Sequence, residues 1–157
     1  NLANGAHKGV LRKSGEPYII HPIAVASIVN NDLGLGTKSV VAALLHDVVE
    51  DTGVSIEDIL DMFGSVVAVI VDGLTDVSKP EDGNRAVRKE LDRAHSADAT
   101  WAAQFVKCAD IIDNAHDIGA NDPSFNVVYR KEMVALLEVL DKVKDEPIYA
   151  AAVIAVA

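Results

Sequence analysis

Between Ala43 and Thr52 the chain reads Ala-Leu-Leu-His-Asp-Val-Val-Glu-Asp-Thr, which sets the pairs His46-Asp47 and Glu50-Asp51 inside an apolar pattern. Imidazoles and carboxylates are the side chains that bind divalent metals and move protons near neutral pH. On a helix turning about 100° per residue these four groups share one arc, while Val41, Leu44, Leu45, Val48 and Val49 fill the opposite one. Ser39 and Ala43, one turn behind on the polar arc, leave room for a cleft. A solvated helix face gives the same pattern, so the motif alone does not decide between the two. His21, His46 and Asp47 can supply three ligands of a hydrolytic centre, with coordination positions open to water and substrate. A fourth ligand must come from a distant acidic residue. Mixed imidazole and carboxylate ligation suits manganese, magnesium or iron better than structural zinc.

The elements that must position these groups are helical. An opening helix is expected to end near Gly9, and Lys13-Ser14-Gly15-Glu16-Pro17 reads as a turn leading to His21. Pro22 suits the first turn of a helix running to Val29, which puts His21 at its N-terminus. Thr37 can cap the His-Asp helix and Gly53 can end it. Ser55, followed by Asp58, is a capping signal for a helix ending near Phe63-Gly64. Ser65 to Leu74 is the most apolar segment and is expected to be central. The loop from Asp76 to Asn84 has the length of a mobile flap or of a plain connector. Helices are then expected from Arg85 to His95, Thr100 to Ile118 and Phe125 to Val143, with Pro147 opening a terminal one. In the second of these, Trp101, Phe105, Cys108 and Ile112 form the core stripe. Asp110, Asp113, Asn114 and Asp117 form a polar stripe that periodicity alone assigns to solvent.

The 157 residues fit one domain, residues 1–157, with a substantial core. Ala, Val, Ile and Leu dominate a hydrophobic half of the sequence that holds few aromatics, which favours a soluble all-α bundle. A net charge of −10 argues against coating DNA or RNA. A small anionic substrate stays compatible with it, because a metal and the basic cluster His7, Lys8, Arg12 and Lys13 can reverse the field within one cleft. The lone Cys108 excludes an internal disulfide, reads as a small core residue, and makes a reducing cytoplasm the default compartment. No apolar run reaches transmembrane length and the first residues show no signal core, so no membrane partner is expected. The pattern does not specify an oligomeric state.

Several segments together carry a resemblance: Ala6-His7-Lys8-Gly9, Arg12 through Pro22, His46-Asp47-Val48-Val49-Glu50-Asp51-Thr52, Phe63-Gly64 and Val71-Asp72-Gly73-Leu74-Thr75. In order, from about residue 3 to 143, the chain resembles the HD-type hydrolase domain of the RelA/SpoT family, and among its members the single-domain small alarmone hydrolases. The resemblance implies an HD-domain helical bundle. It also implies a manganese-dependent guanosine-3′,5′-bis(diphosphate) 3′-pyrophosphohydrolase, converting guanosine tetra- or pentaphosphate to GDP or GTP plus pyrophosphate.

By the same resemblance the metal ligands fall on His21, His46, Asp47 and Asp110. Glu50 and Asp51 fall on the pair that orients and deprotonates the attacking water. Arg12 matches a residue that packs on the guanine base, Lys13 and Ser14 meet phosphate or ribose, Asn114 contacts ribose, and Arg130 resembles a phosphate-binding arginine. The chain departs from the family where Cys108 replaces a leucine, where Ile111 replaces a basic residue near the site, and where Asp117 stands in place of a neutral or basic one. These last two changes make the cleft more acidic and bear on recognition of the alarmone, not on the metal. Two rival functions fit the same residues: an HD phosphohydrolase for another nucleotide, such as a deoxynucleotide or NADPH, and a non-catalytic alarmone-binding sensor.

Overall fold

The computed structural model describes residues 2–33 and 36–157. Ten helices in this range form an all-α bundle: α1 (Leu2–Ala6), α2 (Ile20–Leu33), α3 (Thr37–Leu45), α4 (Val48–Asp51), α5 (Ile56–Phe63), α6 (Ser65–Leu74), α7 (Arg85–Asp98), α8 (Trp101–Asn121), α9 (Pro123–Leu137) and α10 (Pro147–Val156). Among the described residues there is no sheet, only an isolated bridge between Leu11 and Pro17. Among the described residues no helix is long and apolar enough to cross a membrane.

The spine is α8, not α6 as the apolar content of Ser65–Leu74 suggests. Phe105, Val106, Cys108, Ala109 and Ile111 are fully buried on it, and α2, α3, α6, α9 and α10 all pack against it. Val66 and Val69 of α6 lie outside the core, because α6 is covered on one side only. Burial pushes the Cys108 thiol up to about 12, which leaves it inert and confirms its packing role.

Local chemistry sets most boundaries. Ser55 and Asp58 form a reciprocal capping box, with Asp58 N–H donating to Ser55 Oγ at 3.1 Å and Ser55 N–H to Asp58 Oδ2 at 2.8 Å. Two helices expected as continuous are broken. The pattern from Phe125 to Val143 stops at Leu137 and resumes as a 3₁₀ turn at Asp141–Val143, because Leu140 and Val143 turn into the core and Lys142 N–H donates to the buried Gln104 side chain at 3.0 Å. The second break falls between His46 and Asp47.

The segment before α2 folds back on itself. Arg12 N–H donates to the Glu16 carbonyl at 2.8 Å and Tyr18 N–H to the Val10 carbonyl at 2.9 Å. Gly15, at φ 87°, supplies the left-handed residue this reversal needs. The loop after α6 is anchored at its start: Asp92, buried on α7, accepts from Val77 N–H, Ser78 N–H and Ser78 Oγ at 3.1, 2.9 and 3.0 Å.

Gly73 lets α6 approach the α7–α8 corner, since a Cβ there would lie 2.9 Å from Ala99 Cβ and 3.0 Å from Ala103 Cβ. Gly73→Ala, which raises helix propensity, is therefore expected to destabilise the fold by about 1–3 kcal/mol through overpacking. Urea unfolding checks this; an unchanged or higher midpoint would contradict the close approach.

Candidate metal centre

His21 enters the site from the first turn of α2, His46 and Asp47 from the α3–α4 junction, and Asp110 from the middle of α8. The junction is a turn: Asp47 adopts φ −98° and ψ −5°, so the chain leaves α3 at Leu45 and restarts at Val48. His46 Nδ1 lies 2.7 Å from the Ala43 carbonyl and therefore donates to it, occupying an acceptor at the helix end. His21 Nδ1 lies 2.6 Å from Asp113 Oδ2, an acceptor. Both imidazoles thus turn Nε2 inward.

Those two Nε2 atoms are 3.1 Å apart. Asp110 Oδ1 lies 3.1 Å from His21 Nε2 and 3.5 Å from His46 Nε2; Asp47 Oδ2 lies 3.5 and 3.0 Å from the same atoms. His21, His46 and Asp110 qualify together as a set able to hold one ion, and Asp47 Oδ2 borders the same space. Ligands about 2.1 Å from a common ion are separated by about 3.0 Å when cis in an octahedron and about 3.4 Å in a tetrahedron. The observed edges of 3.0–3.5 Å match that range. The donor set fits a divalent cation.

The carboxylates around the two imidazoles favour the protonated form of each ring. Burial desolvates His21 and pulls its pKa down, but hydrogen bonds to Asp110 and Asp113 outweigh this and raise it to about 9. His46 rises as well, against its own burial, through Asp47 and Asp110. Asp110 is held well below the carboxylate range, its burial overcome by bonds to both imidazoles.

The cluster opens into a cleft of about 200 Å³ walled by α4, α7, α8 and α9, with Tyr18, Glu50, Lys107 and Asn114 among its lining. Glu50 lies at this wall and is exposed as a residue. Desolvation there raises its pKa to about 7, with Lys107 opposing and Asp76 reinforcing the shift. Its Oε1 accepts from Asp76 N–H at 2.5 Å. Asn114 donates to Asp110 Oδ1 at 2.7 Å. Asp51 is exposed at the end of α4 and does not line the cleft.

The remaining sequence candidates are placed unevenly. Arg12 is drawn inward, with Nη1 2.7 Å from Asp113 Oδ2, Nε 3.1 Å from Asp117 Oδ2, and 7% of its side chain exposed. Lys13 pairs with Asp122 and lies over the Phe125 ring, and Ser14 contacts Glu16 on the exposed turn. Arg130 bonds the Ala157 carbonyl and stands away from the cleft. The stripe Asp110, Asp113, Asn114 and Asp117 faces the centre and Arg12 instead of solvent. Ile111 is fully buried in the core, its carbonyl accepting from Tyr129, so its side chain contributes nothing to the charge of the cleft.

Sequence reasoning missed three groups. Tyr18 donates to Asp47 Oδ2 at 2.5 Å. Lys107 lies 3.0 Å from the Leu74 carbonyl and 3.8 Å from Asp110 Oδ2. Asp113 bridges His21 and Arg12. Tyr18 follows Pro17 inside the quoted motif and Lys107 opens the segment ending at Asp110, which is the signal that could have found them.

A family model described as an HD domain matches residues 1–140, and the chain belongs to that family. It is 53% identical over 78 residues to a guanosine-3′,5′-bis(diphosphate) 3′-pyrophosphohydrolase of Haemophilus influenzae, a segment covering 50% of this chain and 11% of that protein. It is 46% identical over 78 residues to the bifunctional (p)ppGpp synthase/hydrolase SpoT of Escherichia coli, again 50% of this chain and 11% of the relative. The matched segment thus spans about a tenth of the length of these relatives. Among solved structures, a metazoan orthologue of SpoT that hydrolyses ppGpp superposes with a TM-score of 0.78 at 29% identity, over 96% of this chain and 86% of the other. In fold and in sequence the chain is similar to SpoT/RelA-type (p)ppGpp hydrolase domains.

Because His21 and His46 must both shed a proton to bind a cation, Mn²⁺ affinity is expected to rise with pH from 7 through about 9. Competition with a calibrated chelator across this range checks it. A flat profile would contradict the proton occupancy of the cluster.

Proposed function

We propose that the chain is a divalent-metal phosphohydrolase acting on guanosine 3′,5′-bis(diphosphate), releasing pyrophosphate from the 3′ position with manganese as the metal. The observation that carries this reading is the convergence of His21 Nε2, His46 Nε2, Asp47 Oδ2 and Asp110 Oδ1 at one end of a cleft that also holds Glu50. The activities named for the Haemophilus, Escherichia and metazoan relatives support the substrate.

A divalent ion in this donor set would lower the pKa of water and offset the charge of the substrate phosphates. Glu50, near neutrality, accepts the proton of the attacking water through the carboxylate oxygen not engaged by Asp76. The new bond forms from water oxygen to the phosphorus carried on the ribose 3′ oxygen; the bond to that oxygen breaks, and it leaves as the hydroxyl, taking a proton from solvent while Glu50 returns to solvent the one it accepted. Lys89, Arg93 and Lys107 put positive charge on the cleft walls, where the departing pyrophosphate carries its charge. Tyr18 fixes the Asp47 carboxylate, and Asn114 fixes that of Asp110. The edges of Arg12 are taken by Asp113 and Asp117 and 7% of its side chain is exposed, so a purine packed on it would meet the guanidinium face only where the turn carrying Arg12 uncovers it.

The test is product analysis with guanosine tetraphosphate and Mn²⁺, with GTP, dATP and NADPH run in parallel. GDP and pyrophosphate are expected, and Asp47→Ala should abolish them. Turnover of another nucleotide with the tetraphosphate untouched would overturn the substrate. Glu50→Gln should keep Mn²⁺ binding and lower kcat by about 10²–10⁴-fold. At saturating Mn²⁺ the wild-type rate should rise with pH through about 7 as Glu50 loses its proton, a limb absent from the glutamine variant. At saturating Mn²⁺, Arg12→Ala should raise KM with kcat nearly unchanged; a loss confined to kcat would remove Arg12 from substrate binding.

A further inference from the structure

We infer that Asp113 is the positioning residue of the metal centre, holding His21 in its ligating form and tying that imidazole to Arg12. The inference rests on the metal reading of His21 and His46. One oxygen, Asp113 Oδ2, lies 2.6 Å from His21 Nδ1 and 2.7 Å from Arg12 Nη1. A carboxylate oxygen only accepts, so it requires hydrogen on Nδ1, and that leaves Nε2, which faces Asp110 and His46, as the nitrogen available to a cation.

The two imidazoles are held differently. His46 is oriented by a backbone carbonyl, that of Ala43, which no side-chain replacement removes. His21 depends on a side chain, Asp113, one turn beyond Asp110 on the same face of α8. His21 is 2% exposed, so water has little access to replace that partner. Arg12 completes the arrangement: its charge holds the carboxylate, while Asp117 fixes its Nε edge. The turn carrying Arg12 is thereby connected to a ligand through a single atom.

The test measures Mn²⁺ affinity from the electron paramagnetic resonance signal of free Mn²⁺, alongside circular dichroism and thermal unfolding. Asp113→Ala is expected to weaken binding about 10–100-fold with the helical signal retained, and Asp113→Asn, which can still accept from Nδ1–H, to recover most of that loss. Wild-type affinity in Asp113→Ala, or an equal loss in both variants, would overturn the role. Absence of Mn²⁺ binding by the wild type, matching His46→Ala, would instead bring down the metal reading and this inference with it. A readout that needs no variant is the ¹⁵N spectrum of His21 in protein loaded with diamagnetic Zn²⁺: hydrogen on Nδ1 is expected, and hydrogen on Nε2 would overturn the proposal.

Discussion

Two imidazole nitrogens 3.1 Å apart, faced by two carboxylate oxygens, form a group of four electron-pair donors that cannot satisfy one another. Some positive species must sit among them, whether protons or a metal ion. The rest of the structure serves this requirement. Pro22 sits with His21 in the first turn of α2, the α3–α4 turn brings two consecutive side chains to one point, and α8 runs through the centre carrying Asp110. Burying two imidazoles against half-buried carboxylates in a small bundle is costly unless the charges are paired. The fold commits its best-packed helix to that purpose.

An acidic chain raises the question of how a cleft for an anionic substrate stays usable. Most carboxylates around it already have partners. Asp92 holds the backbone of the loop after α6, Asp76 pairs with Lys89 at 2.8 Å, Glu132 with Arg85 at 2.6 Å, and Asp113 and Asp117 enclose Arg12. What remains uncompensated is concentrated at the cluster, where a divalent ion would be bound. Net charge therefore describes the surface of this protein better than its cleft.

The sequence made the helices legible where a local signal acts alone. The Ser55–Asp58 box, the stop at Gly64 and the apolar run Ser65–Leu74 depend on neighbours within one turn, and the structure agrees with all three. It was less legible where the determinant is distant. The break after Leu137 depends on Gln104, and the anchored loop depends on Asp92, some fifteen positions away. Periodicity identified the stripe Asp110–Asp117 as polar but assigned it to solvent, because a face turned to a cleft and one turned to bulk water have the same period. The four residues bordering the metal space came from motif and resemblance, and the distances among them came only from the fold. Ile111 shows the converse: a position counted as part of the cleft by alignment points into the core.

The central claim is that His21, His46, Asp47 and Asp110 enclose one divalent ion. Anomalous diffraction from crystals grown with Mn²⁺ addresses it most directly. The account predicts one strong manganese peak about 2.0–2.3 Å from His21 Nε2, His46 Nε2, Asp47 Oδ2 and Asp110 Oδ1. A fully loaded crystal with its peak elsewhere, or with no peak among these atoms, would contradict it.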